Sequence, residues 1–402
     1  MRVLVADKLS PRVAERLEAA GCAVTTAPTL KGDALTDRLA ALQPAVLVVR
    51  STKVTAEHLH ASGALALVIR AGAGTNTIDV ASASARGIYV ANCPGKNAIA
   101  VAELTFGHLI NLDRRIADNV IALRAHTWAK KEFGKADGLF GKTLALLGVG
   151  SIGREVIARA HAFGIHVRAW SRSLTPAQAA ELGVEHAATP LDACKGADIL
   201  SVHLALKPET RHLVGRALLE ALAPGAFVIN TSRGELVDQD ALVEAIETRG
   251  LRAGLDVFAD EPGSNETAFP HAIADNPSVY GTHHIGASTQ QATEQVGQEV
   301  IDIVEQYLNQ GTVKNCINLA VRSAADHLLV VRHADRVGVL AGVLDCLRRG
   351  DVNVQEMENI IFTGSKAACA RIQISGAPPA SLLAEIDASE HVFATSLVSL
   401  EP

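Results

Sequence analysis

The sequence predicts an α/β protein of doubly wound parallel sheets that ends in a small βαββαβ module. Three observations carry that expectation. Short β-branched runs alternate with helical patterns over most of the chain, a glycine-rich turn at 148–153 stands directly between a strand and a helix, and after about residue 324 the pattern changes to strands and two helices in the order βαββαβ. Alternating strands and helices imply a parallel sheet covered on both faces, and βαββαβ is the split-βαβ, ferredoxin-like arrangement.

The first strand reads RVLVA, and Ser10-Pro11 opens the helix RVAERLEAA, which Gly21 closes. Ser as N-cap, Pro at the first helical position and Gly past the end supply an acceptor for an orphan N–H, a preset φ and a left-handed terminus. Strand-like runs follow at 45–49, 66–72 and 88–92. From Asn97 to about Arg115, Ile99, Val101, Leu104, Phe106, Leu109, Ile110 and Leu112 continue for several turns, which predicts one long connecting helix. A second unit begins at TLALLGVGSIG (143–153), runs through a helix to Phe163 and the strand VRAW, and adds strands at 198–204, 226–232 and 252–257. After the helical run at 299–308, residues 311–324 read as a linker. Residues 325–402 form the closing module, with strands LLVVRH, VNVQEMENIIF, AACARIQIS and ATSLVSL and helices VGVLAGVLDCLRRG and ASLLAEI.

At 402 residues the chain is expected to hold two or three domains, at roughly 150 residues each. With 37 basic and 43 acidic residues the formal charge is −6, which leaves no basic excess for a phosphate backbone, so nucleic acid is not expected as a partner. No apolar run approaches the ~18 residues of a membrane span, and the N-terminus enters a strand pattern in place of a signal peptide. No membrane partner and a cytoplasmic location are therefore expected. Aromatic residues are only 3%, too few for single-strand stacking platforms. Cys22, Cys93, Cys194, Cys316, Cys346 and Cys369 show no metal-ligand spacing, so they read as buried free thiols and no metal is expected. What remains is an enzyme acting on a small molecule.

The turn Gly148-Val149-Gly150-Ser151-Ile152-Gly153 fits G-x-G-x-x-G. Following a strand and opening a helix, it permits a tight turn, close backbone approach to a pyrophosphate, and tight helix–strand packing. The helix N-terminus adds partial positive charge. Gly148, Gly150, Ser151, Ile152 and Gly153 are thus the expected cofactor cradle. About twenty residues on, where an acid reads the ribose of NAD or an Arg the 2′-phosphate of NADP, the chain has Ser171-Arg172. NAD and NADP both stay open at this point.

Arg233, Glu261 and His284 each follow a strand-like segment in the second unit, at the edge where open α/β sheets place their active-site crevice. Hydride removal from a 2-hydroxy acid needs a cation for the carboxylate, a base for the hydroxyl proton and a carboxylate to orient that base. Arg233, His284 and Glu261 supply these in turn. His284 is preferred to His283 because it directly precedes Ile285-Gly286-Ala287-Ser288.

The segments VVRSTKVT (48–55), RAGAGTNTID (70–79), AELTFG (102–107), GKTLALLGVGSIGREV (141–156), TSRGELVD (231–238), GLDVFADEP (254–262) and HIGAST (284–289) carry a wider likeness. On their order and spacing the chain resembles the D-isomer-specific 2-hydroxyacid dehydrogenases over nearly its whole length. The resemblance implies a flavodoxin-like substrate domain from 1–97 and 285–310 around a Rossmann NAD(P)-binding domain at 98–284, closing on a cleft by hinge motion. Pattern alone suggests two successive units instead. By the same resemblance Arg233, Glu261 and His284 are catalytic, Asp256 binds the nicotinamide carboxamide, and Thr231 and His203 lie along the cofactor path. Arg70, Gly72, Ala73 and Gly74 face the substrate carboxylate, while Arg50 and Lys53 hold a substrate phosphate, joined by Lys130 from a second copy. The activity implied is oxidation of 3-phospho-D-glycerate by NAD(P) to 3-phosphooxypyruvate, the first step of L-serine synthesis, in a homodimer or homotetramer. Ser171 replaces the acid usual at that position, and Ser51-Thr52-Lys53 makes the following loop one residue shorter than the commonest form. The alternatives are an NADP-linked glyoxylate or hydroxypyruvate reductase and a non-enzymatic cofactor or amino-acid sensor on the same fold.

Residues 325–402 resemble the ACT domain, which implies an amino-acid effector, serine, bound through His333 and Asp335. Asp335 equally reads as the N-cap of the helix after it, and Val337 stands where a proline is usual.

Overall fold

Four-residue runs such as VLVV at 46–49 show no polar alternation and are buried along their length, which suits strands covered on both faces. Five four-residue strands, β1 (Arg2–Val5), β2 (Ala23–Thr26), β3 (Val46–Val49), β4 (Leu67–Arg70) and β5 (Tyr89–Asn92), pair in parallel in the order β2-β1-β3-β4-β5, with the edge strand β2 the least covered. The computed structural model describes residues 1–262, 267–269 and 271–400. These divide into two compact units, Met1–Asn318 and Leu319–Pro402.

One side of the first sheet is closed by a helix from far along the chain. Val296, Val300, Ile303 and Val304 of the helix Gln290–Gln310 pack with Val3, Val5, Val13 and Ile69. Pattern alone assigns that helix to the second unit, because periodicity reveals an apolar stripe without saying which sheet it covers. Part of the expected linker also joins this lobe: Cys316 bridges Ala91 antiparallel, and the Asn318 side chain accepts from Val90 N and donates to Ile88 O.

The second sheet has seven parallel strands, β6 (Thr143–Leu147), β7 (His166–Trp170), β8 (Glu185–His186), β9 (Ile199–Val202), β10 (Phe227–Asn230), β11 (Arg252–Leu255) and β12 (Val279–Gly281). Their order is β12-β11-β10-β9-β6-β7-β8, so the direction of winding reverses between β6 and β9, beside the glycine-rich turn. The helix Ala98–Arg114 connects the two sheets and buries Phe106, Leu109 and Leu112 against the second core. It ends at Arg115, whose φ of 51° breaks the helical path.

Glu299, 2% exposed, ties this architecture together at one carboxylate. Lys96, just before the crossing helix, and Lys314, just after the returning one, each lie 2.9 Å from it, and Asn315 donates at 2.7 Å.

The second compact unit contains β13 (His327–Ala334), β14 (Asn353–Ile361), β15 (Ala367–Ser375) and β16 (Val392–Ser399), an antiparallel sheet in the order β14-β15-β13-β16. The helices Val339–Arg349 and Ala380–Asp387 cover one face through Val343, Leu347, Leu382 and Ile386. This is the split-βαβ strand order. Among the described residues no helix is long and apolar enough to cross a membrane, and no His/Cys/Asp/Glu group is arranged to hold a metal. All six cysteines are free thiols, but Cys316 and Cys369 are only half-buried, which corrects the expectation that every one lies in a core.

Burial pushes the Glu299 carboxyl up, but hydrogen bonds from Lys314, Lys96 and Asn315 outweigh it and leave the group below its ordinary value of 4.5. A carboxyl lowered on folding adds stability above its unfolded value and loses it as pH falls through the folded one. Glu299→Gln is expected to cost about 1 kcal/mol at neutral pH, discounted because both lysines are partly solvated. It should also flatten the fall of Tm with pH below about 4.5, as followed by calorimetry across an acid series.

Candidate active site

The side chains that matter stand at the carboxyl ends of parallel strands, where successive loops converge. Asp7 follows β1 and is 6% exposed. Its Oδ2 accepts the backbone N–H groups of Arg50, Ser51 and Thr52 at 2.6, 3.0 and 2.9 Å, and its Oδ1 the Ser51 hydroxyl at 3.2 Å. One buried carboxylate therefore shapes the whole loop after β3, from which Arg50 and the exposed Lys53 extend.

Arg70 ends β4 and folds back over Gly72, where a Cβ would come within 1.7 Å of its Nη1. Arg233, after β10, occupies the same kind of seat at Gly74, its Nη2 lying 2.6 Å from where a Cβ would be. The spacing Gly-Ala-Gly thus serves two guanidinium groups as well as the backbone between them, which Asn92 pins by donating to Ala73 O at 2.6 Å. Burial, then the charges of Arg233 and Arg50, push Arg70 down to about 10, so it stays charged at neutral pH. Its Nε is buried without a hydrogen-bond partner among the described residues. No carboxylate forms an ion pair with Arg50, Arg70 or Arg233 among those residues, and Arg233 donates from Nη1 only to the carbonyl before it.

His284 follows β12 with a left-handed φ of 52°, an unfavourable backbone for a residue bearing a Cβ that has to be held by its surroundings. The holder is Asp256, 1% exposed. Its Oδ1 accepts Thr282 Oγ1 at 2.6 Å and Ile285 N at 2.8 Å, its Oδ2 accepts Gly286 N at 2.8 Å, and its carbonyl accepts His284 N. Three of about four acceptor positions on that carboxylate are thereby taken, leaving one open. The His284 Nδ1–H donates to Glu261 Oε2 at 2.6 Å, and Glu261 Oε1 accepts Phe258 N at 3.0 Å. Burial pushes Glu261 up, yet the bonds from His284 and Phe258 and the charge of Arg233 leave it below its usual value. With Nδ1 so committed, Nε2 of His284 carries the free lone pair. His283 has no place in this pairing.

The turn after β6 fits a dinucleotide pyrophosphate. At Gly148, φ 104°, a Cβ would stand 2.3 Å from His203 O, and at Gly153 one would stand 2.1 Å from Gly148 O. Gly150 faces open space, and the helix Ser151–Ala162 begins there with no side-chain cap on its N–H groups. Ser151 is exposed and Ile152 half-buried at that end. Ser171 and the exposed Arg172 follow β7 with no acid beside them in sequence. Thr231 is buried, its Oγ1 3.3 Å from that of Thr105. His203 Nε2 meets Ser201 Oγ at 2.8 Å, and burial holds this imidazole well below its usual value.

Other expected positions lie apart. Lys130 is exposed on the short helix Lys130–Phe133. In the C-terminal unit Asp335 is exposed and does not cap the helix, which starts after Gly338. His333 is 2% exposed, with Nδ1 at 2.8 Å from Ala334 O and Nε2 at 3.2 Å from Asn359, so both ring nitrogens are committed inside the sheet. Asp7, Thr282 and His108 were not singled out by the sequence. An acid two residues past a parallel strand was the available signal for Asp7.

The profile of the D-isomer specific 2-hydroxyacid dehydrogenase, NAD binding domain matches residues 106–286. Hydroxypyruvate reductase of Thermotoga maritima is 41% identical over 261 residues, 64% of this chain and 82% of that protein. D-3-phosphoglycerate dehydrogenase of Methanocaldococcus jannaschii is 36% identical over 321 residues, 79% of this chain, and the chain spans only 60% of that relative's length. A Thermus thermophilus protein of known crystal structure superposes with a TM-score of 0.70 at 30% identity, covering 79% of this chain and 100% of that one.

Gly148→Ala is expected to open the turn by driving it off the His203 carbonyl. Affinity for a nicotinamide dinucleotide should fall at least about tenfold, as measured by fluorescence titration of the reduced form.

Proposed function

Because the chain belongs to the D-isomer-specific 2-hydroxyacid dehydrogenases, we propose that it interconverts 3-phospho-D-glycerate and 3-phosphooxypyruvate with NAD(P), the entry to L-serine synthesis. The cluster of Arg50, Arg70 and Arg233 carries this reading: three mutually repelling charges with no carboxylate partner among the described residues. Such a cluster is relieved by an anion, and a chain of net charge −6 needs it locally because its overall field attracts no anion. A substrate with both a carboxylate and a phosphate matches it. The carboxylate goes to Arg233, Arg70 and the backbone at 72–74, and the phosphate to Arg50 and Lys53, with Lys130 of a second copy. The name of the Methanocaldococcus relative supports the same substrate.

In this reading the first sheet with the helix Gln290–Gln310 is the substrate lobe and the second sheet the nucleotide lobe. A bound dinucleotide supplies the acceptor for the C2 hydride. His284 Nε2 takes the hydroxyl proton, and Glu261 faces the imidazolium that results. Arg233 keeps the carboxylate end fixed while the proton moves, and Asp256 offers its remaining acceptor position to the carboxamide. Exposed Ile121, Trp128 and Phe140 support pairing with a second copy. We assign residues 325–402 to the ACT type on their strand order, with serine as effector and Asp335 as the residue free to meet its ammonium group.

A second reading rests on Arg172, which stands after β7 where NAD enzymes place an acid: an NADP-linked glyoxylate or hydroxypyruvate reductase, the latter activity being the one named for the Thermotoga relative. Initial rates with 3-phosphoglycerate and hydroxypyruvate, each with both cofactors and with or without serine, separate the two. The first reading expects turnover of the phosphorylated acid, with Arg50→Ala and Lys53→Ala raising its KM about tenfold or more. It expects His284→Ala to lower kcat by about 10²–10⁴-fold. Turnover of hydroxypyruvate with NADPH alone would replace it by the second.

A further inference from the structure

The crossing helix Ala98–Arg114 turns two buried polar residues, one turn apart, toward the second sheet: Thr105, fully buried, and His108, 4% exposed. Thr105 bonds back to Val101 O. His108 reaches outward, its Nε2 3.2 Å from Thr282 Oγ1. The Thr282 hydroxyl has one proton and gives it to Asp256 Oδ1 at 2.6 Å, so toward His108 it can only accept. That makes Nε2 the protonated nitrogen of His108. Burial holds this imidazole below its usual value against the upward pull of Asp256, so the ring is a neutral donor at neutral pH.

The ring also has a seat. At Gly254 of β11 a Cβ would come 2.7 Å from His108 Cβ and 3.0 Å from its Cγ, so the strand gives up a side chain where the imidazole lies. A leucine in that space would add apolar burial and avoid the cost of desolvating an imidazole. The donor to Thr282 is what a histidine adds there.

We infer that His108 is a positioning residue for His284: through Thr282 it orients the Asp256 carboxylate from which the turn 282–286 is suspended. Ile285 N and Gly286 N hang on that carboxylate, and His284 N on the carbonyl of the same residue. The left-handed backbone of His284 makes the turn dependent on those anchors. The catalytic half of this inference rests on the reading of His284 as the base. The structural half does not.

Three variants test it: His108→Leu keeps the volume and loses the donor, His108→Gln keeps a terminal N–H, and Thr282→Val removes the relay. The full-length protein is followed by hydrogen exchange over 282–288 without ligands and by steady-state kinetics. His108→Leu is expected to speed exchange over 282–288 while leaving the rest of the crossing helix unchanged. It should lower kcat on the order of tenfold with KM within about twofold. His108→Gln should recover most of both effects, and the double variant His108→Leu/Thr282→Val should be no worse than the poorer single one. Unchanged exchange over 282–288 in His108→Leu overturns the inference, as does a loss that spreads along the whole helix and that His108→Gln does not recover. A wild type that oxidises no 2-hydroxy acid would sink the functional reading alone, because the exchange rates still decide the role of His108.

Discussion

Three guanidinium groups held together without carboxylate partners among the described residues are the constraint around which the site is arranged. Arg50, Arg70 and Arg233 come from the ends of three strands in two sheets, and burial with mutual repulsion already lowers Arg70 to about 10. Like charges gather at such a cost only where backbone and seats force them. Gly72 and Gly74 clear the space that two of the guanidiniums fill, and Asp7 uses its carboxylate on three backbone N–H groups, shaping the loop that carries the third.

The opposite charge is placed with equal economy. Glu261 and Asp256 both stand after β11, yet one faces the imidazole of His284 and the other holds its backbone. The ring and the backbone of His284 are thus held by two acidic residues with separate duties. Glu299 does comparable work for the frame, joining the crossing loop, the returning helix and the segment after it. Parallel sheets make this arrangement natural, because every strand delivers its following loop to the same edge.

Much of the frame was legible in the sequence for a physical reason. Strands buried on both faces write themselves as unbroken apolar runs, so β3, β4 and β6 coincide with the runs that predict them, β15 shows the alternation of a strand covered on one face, and the turn at 148–153 sits where a strand pattern changes to a helical one. Glu261 and His284 were legible as motif members, and their 2.6 Å contact gives that pairing a geometry. Edge strands such as β2 and β12 were not, since their partly exposed residues, AVTT and VYG, form no unbroken apolar run. The helix Gln290–Gln310 showed its stripe but not its partner sheet. Asp7 looks like any solvated acid until backbone more than forty residues away folds onto it. His108 is one histidine among 15 until Thr282 and Gly254 surround it. His333 looked like a free imidazole because nothing local reveals that Asn359, across the sheet, lies against its Nε2.

The most direct test of this account is calorimetric titration of the full-length chain, saturated with dinucleotide, with 3-phosphoglycerate and with D-glycerate at two salt concentrations. If the arginine cluster awaits an anion with charge at both ends, the phosphorylated acid binds at least about tenfold tighter, and its advantage shrinks as salt rises. Equal affinity for the two acids at both salt concentrations would contradict it.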